Sequence, residues 1–148
     1  GKTTEVVLAA GSNASNRADA SAVIESVTTS SEGTALGREA AAYGCQFIGN
    51  PYVFGGTSLT NGTDCSGFTQ GVYAHFGIRI PRDSTSQRFC GTGVDYSQAQ
   101  PGDLICYAGH VALYIGNGQI VHASSERTGI KISPATYRTI LAVRRVVS

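Results

Sequence analysis

The sequence predicts an α+β fold, with N-terminal helices packed on a central antiparallel sheet of about five strands. Three observations point to it. Apolar residues recur at helical spacing in the first half: Ala41, Ala42, Cys45 and Ile48 in one stretch, Phe68, Val72, Tyr73 and Phe76 in another. The second half holds short β-branched runs separated by glycine, proline and asparagine turns. The helical stretches precede the strands instead of alternating with them, which favours an antiparallel meander over parallel βαβ units.

Residues 1–32 are rich in Ser, Ala, Thr and Asn and read as a linker or N-terminal arm. Val6–Leu8 would add an edge strand, and Ala20–Val27 a short helix. The compact domain is expected over 33–148. Thr34 or Ser31 caps a helix that runs to about Phe47, and Asn50-Pro51 ends it, because the residue before proline avoids the helical region. Tyr52-Val53-Phe54-Gly55-Gly56 is extended and runs into a glycine turn, and Thr57–Thr63 is a loop. A second helix is expected over Cys65–His75, with Asp64 as N-cap and Gly77 as the stop. Arg82–Gln87 forms a short helix or turn. After the turn Pro101-Gly102-Asp103, strands are expected over Leu104–Tyr107, His110–Ile115, Gln119–Ala123, Ile130–Ile132 and Leu141–Val146. Gly116-Asn117-Gly118 makes the middle pair a hairpin.

The chain has 148 residues, enough for one hydrophobic core. It is 41% apolar and 14% charged, with 19 glycines, as suits a globular domain with a loop-rich surface. A net charge of +1 gives no argument for nucleic acid as a partner. Five of the eleven basic residues (Arg127, Lys131, Arg138, Arg144 and Arg145) fall in the last 22 positions, a bias that reads as solvated surface, with an acidic ligand as the alternative. No apolar run reaches the roughly 18 residues of a membrane span. Val6–Ala10 is too short for a signal-peptide core and lacks a basic start, so no export signal is visible. A monomer suffices to complete the site described next.

Four cysteines, Cys45, Cys65, Cys90 and Cys106, show no paired metal-ligand spacing. Cys106 lies in an apolar run and reads as a buried small hydrophobe. Cys45 and Cys90 are the expected partners if an exported chain forms one disulfide. Cys65 differs: it follows a capping aspartate at a helix start, where first-turn amides and the helix dipole favour a thiolate. His110 and His122 follow downstream in strands. A thiol attacks a carbonyl with help from an imidazole that removes its proton and then protonates the leaving amine. A further polar group fixes the tautomer of that imidazole. His110 is assigned as base and His122 as orienter, with the backbone amide of Cys65 as an oxyanion donor. Strand alternation puts His110 on one face with Ala112 and Tyr114, and His122 with Ile120 and Ser124. A tight turn over 116–118 makes the histidines diagonal neighbours only if a bulge or ragged end intervenes. His75 sits at a helix end, where a basic side chain suits the last carbonyls, and is left out of the catalytic set.

Several of these segments, in this order, resemble the NlpC/P60 family of cell-wall endopeptidases, which have a papain-like core. They are Pro51–Gly56, Asp64–Phe68, Pro81-Arg82 with Ser84 and Gln87, Pro101–Leu104, Gly109–Gly116 and Val121–Ala123, spread over most of residues 38–146. Phe54 stands where the family often carries tryptophan. The resemblance implies Cys65 as nucleophile, His110 as base and His122 as orienter, with no metal or organic cofactor. It implies a peptidoglycan stem peptide or muropeptide as substrate, cut between γ-linked D-isoglutamate and a diamino acid, meso-diaminopimelate or lysine. It also implies a bacterial protein that is secreted or associated with the cell wall. Four further residues become candidates for substrate binding. Tyr52 supports the thiol or contacts substrate, or else packs on the helix. Asp64 caps the helix and offers charge to a substrate ammonium. Arg82 and Ser84 line the cleft, with Arg82 meeting a substrate carboxylate or holding a loop. The rival readings are a cysteine amidohydrolase or acyltransferase on another substrate, and a non-catalytic wall-binding module. The presence of the cysteine and both histidines argues against the module.

Overall fold

The computed structural model describes residues 14–147. The strand expected at Val6–Leu8 lies outside them. Helix α1 (Ala14–Thr29) contains the short helix expected over Ala20–Val27 and extends it through much of the stretch expected to be a linker or arm. Its Ala20, Ile24 and Val27, spaced four and three residues apart, share one face and are buried in the main core. Three small or β-branched residues in a polar stretch make a weak sequence signal, yet they suffice to seat this helix beside α2.

Helix α2 (Ala35–Cys45) starts as expected: the Thr34 hydroxyl accepts the Gly37 amide at 3.0 Å. It ends two residues before Phe47, and Phe47 and Ile48 remain buried in the turns that follow. Asn50 is fully buried and donates from Nδ2 to the Leu59 carbonyl at 3.0 Å, tying the next loop down. That loop is more ordered than expected, for β1 (Thr57–Ser58) and β2 (Gly62–Thr63) pair as a miniature hairpin. Tyr52 bridges Thr63 in parallel, so the Tyr52 backbone is pinned next to Asp64.

Helix α3 spans Cys65–His75, matching the expected bounds. Phe68, Val72 and Tyr73 are fully buried, and Gly77 (φ +78°) closes the helix in a conformation that side chains disfavour. His75 stacks on Tyr43 with centroids 3.9 Å apart, which gives it a packing role. Helix α4 (Ser84–Gln87) is capped by Asp83, and its fully buried Gln87 bonds the carbonyls of Ser66 and Pro81 and the Thr69 hydroxyl. One side chain thereby clamps the short helix against the start of α3.

The sheet has six strands, all antiparallel, in the order β3-β8-β4-β5-β6-β7. These are β3 (Thr92–Val94), β4 (Leu104–Tyr107), β5 (His110–Gly116), β6 (Gln119–Ser125), β7 (Gly129–Pro134) and β8 (Ala142–Arg145). Strand β3 was not anticipated; Thr-Gly-Val offers no apolar alternation and exists through pairing with β8. One face packs on the helices through Leu104, Cys106, Val111, Leu113, Val121 and Ala123. The other forms a second core of Ile105, Tyr107, Ala112, Tyr114, Ile120, Ala135 and Val143. The turn at Pro101–Asp103 is held by the buried Asp103 carboxylate, which takes Arg145 in two bonds of 2.9 and 2.8 Å.

All four cysteines are free thiols. The expected Cys45–Cys90 pairing is not formed: Cys45 is wholly enclosed in the helical core, whereas Cys90 sits half-buried after α4, where its carbonyl accepts Arg144. Burial pushes the thiols of Cys45 and Cys106 up to about 12.

Candidate active site

The Cys65 side of the candidate site is built mostly from neighbours in sequence. Asp64 Oδ1 accepts the Gly67 amide at 2.7 Å, and Oδ2 accepts the Gly55 amide at 3.2 Å. Arg82 grips the same carboxylate from across the site, Nη1 to Oδ1 at 3.0 Å and Nη2 to Oδ2 at 3.1 Å. It also reaches the Ser66 hydroxyl at 2.9 Å and the Gly56 carbonyl at 3.3 Å. Burial works to raise the Asp64 pKa, but the Arg82 bonds and the Gly67 amide outweigh it and hold the carboxyl below the usual range. Gly67 is required by close approach, since a Cβ there would stand 2.5 Å from the Gly56 carbonyl oxygen and 2.6 Å from the Thr63 hydroxyl. The short motif Asp-Cys-Ser-Gly thus contains its own cap, its thiol, an arginine ligand and a gap for the incoming loop.

Cys65 is 8% exposed. The backbone amides of Val111, Ser66 and Cys65 itself lie close enough to its sulphur to favour the thiolate. Helix-start position led us to expect a favoured thiolate. Instead the thiol is pushed up, first by burial and also by the Asp64 charge, and the three amides only partly offset this. The resting sulphur is therefore a protonated thiol.

The histidine side is assembled from three strands. The ladder between β5 and β6 registers Leu113 with Val121 and Tyr114 with Ile120, then shifts between Tyr114 and Gly116. Continued backwards, this register sets Ala112 opposite His122 and leaves His110 on the diagonal, on the same face. The bulge that sequence reasoning required is present, and His110 Nε2 lies 2.7 Å from His122 Nδ1. His122 Nε2 lies 2.9 Å from the Ser133 hydroxyl. The two imidazoles cross at 74° with centroids 5.0 Å apart. Burial, then the Arg138 charge, lowers His110 to about 4. Burial, then His110, Lys131 and Arg138, lowers His122 to about 3. Both rings are neutral at pH 7. His110 Nδ1 is then the ring nitrogen left for chemistry, one residue from the amide that faces Cys65.

Among the binding candidates, Tyr52 lies beside the thiol: burial foremost, then the proximity of Cys65, Asp64 and Glu126, raises its phenol. Arg82 is committed to Asp64, Ser66 and Gly56, which makes it a brace for the helix start, the loop-holding alternative. That bidentate grip also consumes much of the charge Asp64 was expected to offer a substrate. Ser84 opens α4 and is half-buried. Sequence reasoning missed Ser133, because β7 was expected to stop at Ile132, and missed the ring of Tyr137, 5.4 Å from that of His122. Among the described residues, no cluster of three or more metal-ligating side chains occurs, and no helix is long and apolar enough to cross a membrane.

A cysteine at a helix start, set against an antiparallel sheet that carries a histidine pair, defines a papain-like fold of the thiol-hydrolase class. Within that class the chain belongs to the NlpC/P60 family, whose model matches residues 49–144. It is 43% identical over 99 residues to a gamma-D-glutamyl-L-lysine dipeptidyl-peptidase of Bacillus cereus, covering 62% of this chain and 29% of that protein. It is 40% identical over 91 residues to a probable endopeptidase NlpC homolog of Haemophilus influenzae, covering 60% of this chain and 49% of that one. The chain thus spans under a third of the first relative's length and about half of the second's. The structure of the peptidoglycan hydrolase RipB from Mycobacterium tuberculosis is similar over 98% of this chain and 96% of that one, with a TM-score of 0.66 at 28% identity.

Proposed function

We propose that the protein is a cysteine endopeptidase that hydrolyses peptidoglycan stem peptides at the amide between γ-linked D-glutamate and the following diamino acid. One observation carries the chemistry: a buried thiol at a helix start lies beside the amide of Val111, next to a base whose far nitrogen feeds a two-step hydrogen-bond chain. The family, and the dipeptidyl-peptidase and peptidoglycan-hydrolase names of its relatives, supply the substrate class.

The neutral rings dictate one set of tautomers. For His110 Nδ1 to accept the Cys65 proton, His110 Nε2 must carry hydrogen and donate it to His122 Nδ1. His122 Nε2 then carries hydrogen and donates to Ser133. As Cys65 attacks the γ-carbonyl, its proton passes to His110 Nδ1 and the sulphur–carbon bond forms. The Cys65 amide at the helix start receives the oxyanion. The imidazolium is steadied by His122 Nδ1, a neutral acceptor. It returns the proton to the departing amine as the carbon–nitrogen bond breaks. Water, deprotonated by the same nitrogen, then attacks the thioester carbonyl, and the proton goes back to sulphur. Tyr52 supports the thiol or the acyl group, and the site acts outside the cell or at its wall.

Digestion of purified muropeptides with mass analysis of the products tests this. Cleavage after γ-D-glutamate by the wild type, and none by Cys65→Ala folded to the same Tm, is the expected result. Turnover of another amide or ester with intact muropeptides would favour the amidohydrolase or acyltransferase reading.

A further inference from the structure

The guanidinium of Arg138 sits on the histidine side of the site. Its carbon lies 5.9 Å from the ring centroids of both Tyr107 and Tyr137. Those rings in turn flank the histidines: Tyr107 is 5.9 Å from His110 and Tyr137 is 5.4 Å from His122. A single hydrogen bond, Nη2 to the Ala108 carbonyl at 3.1 Å, holds the side chain there. Other arginines around the sheet spend their forks on the protein. Arg82 takes Asp64, Arg145 takes Asp103, and Arg144 takes the carbonyls of Cys90 and Gly91. Arg138 is exposed and has no carboxylate partner among the described residues. A second cation, Lys131, stands opposite His122 across β6 and β7. On the other flank, beside Tyr52, Asp64 is already paired with Arg82, and Glu126 adds a negative charge. The cations of the site that are not spent on a carboxylate among the described residues thus stand beside the histidines.

Chemistry orients a substrate relative to these cations. The imidazole that protonates the leaving amine must stand on the leaving-group side, so the departing residue lies on the His110 side of the thiol, the side on which Tyr107 and Arg138 stand. We propose that Arg138 is a specificity-determining residue that receives a carboxylate of the departing diamino acid. The inference rests on the peptidase reading above and adds the chemistry of its leaving group. A planar fork with most donors unspent, backed by two aromatic faces, suits a carboxylate better than an ammonium or a neutral amide. Two carboxylates qualify: the terminal carboxylate of a tripeptide, and the side-chain carboxylate of meso-diaminopimelate, which lysine lacks.

The test uses four tripeptides of the L-alanyl-γ-D-glutamyl type. Two end in lysine, as acid or as C-terminal amide. Two end in meso-diaminopimelamic C-terminal amide, with the side-chain carboxylate free or amidated. The wild type is expected to cleave the acid of at least one pair with a kcat/KM about tenfold or more above its amide. Arg138→Gln should erase that preference by slowing the acid while leaving the amide unchanged, and Arg138→Lys should restore part of it. The pair that responds identifies the carboxylate. Equal slowing of acid and amide would make Arg138 a support for the histidines and overturn the inference, as would a preference kept by Arg138→Gln. Failure of the wild type to cleave any member would overturn the peptidase reading itself and this inference with it.

Discussion

The two halves of the site are made differently. The cysteine half is mostly local: Asp64, Cys65, Ser66 and Gly67 are consecutive and Gly55 and Gly56 are near in sequence, while Arg82 and Val111 come from farther along the chain. The histidine half is non-local, since His110, His122 and Ser133 lie on three strands and meet through register and a bulge. A local motif works mainly by fixing the start of a helix, so much of its effect is on folding. A non-local relay sets tautomers, so damage to it should appear in turnover before stability.

That contrast can be broken at several points. His110→Ala should lower kcat by about 10²- to 10⁴-fold, the usual scale for losing a general base, with little change in KM. A loss below tenfold in steady-state assays would remove His110 from the chemistry. His122→Ala should cost about 10- to 100-fold, as expected for a partner that orients an essential group, and Ser133→Ala only a few-fold. Both effects should fall in kcat, and Ser133→Ala should lower Tm less than loss of the Asp64 cap does. On the other side, Asp64→Ala should destabilise the fold by about 1–2 kcal/mol, the scale of a lost N-cap, and lower Tm. If Asp64→Ala spared Tm while Ser133→Ala lowered it, the division between the halves would be reversed.

The mildest probe is pH. The folded imidazoles of His110 and His122 titrate near 4 and 3, whereas unfolded histidine titrates near 6.5. Between those values the unfolded chain binds more protons than the folded one. Stability from these groups is therefore complete above about 6.5 and is lost as the pH falls toward 4. Thermal melts should show Tm declining over that window, with a shallower slope in His122→Gln. By the same shift, kcat/KM should hold below pH 6 and fail only as the pH nears 4, where His110 is protonated.

How much was legible in the sequence follows the same line. Helix α3 was readable to the residue, because Asp64 is an evident cap and Gly77 an evident stop. The five expected strands were found, with ends displaced by a residue or two, as alternation and turn residues allow. What escaped depends on partners. Strand β3 exists through β8, and the helix expected over Ala20–Val27 proved longer and became part of the core because α2 offers it a face. The protonated state of Cys65 also escaped, since a helix start suggests a thiolate and burial outweighs it. The histidine pairing was readable only as a condition, a bulge after Tyr114, that the folded sheet meets. Ser133 gave no sequence signal, because only the β6–β7 register brings it to His122, and Arg138 showed only as one of a C-terminal group of basic residues.

The most direct test is to trap the acyl-enzyme. Mixing the protein with a stem tripeptide, quenching in acid within one turnover and mapping peptides by mass spectrometry should reveal an alanyl-γ-glutamyl thioester on Cys65. It should accumulate when water attack is slowed, and be absent from Cys65→Ala. Steady hydrolysis with no adduct on Cys65, or with the adduct on another side chain, would contradict the assignment of Cys65 as the nucleophile.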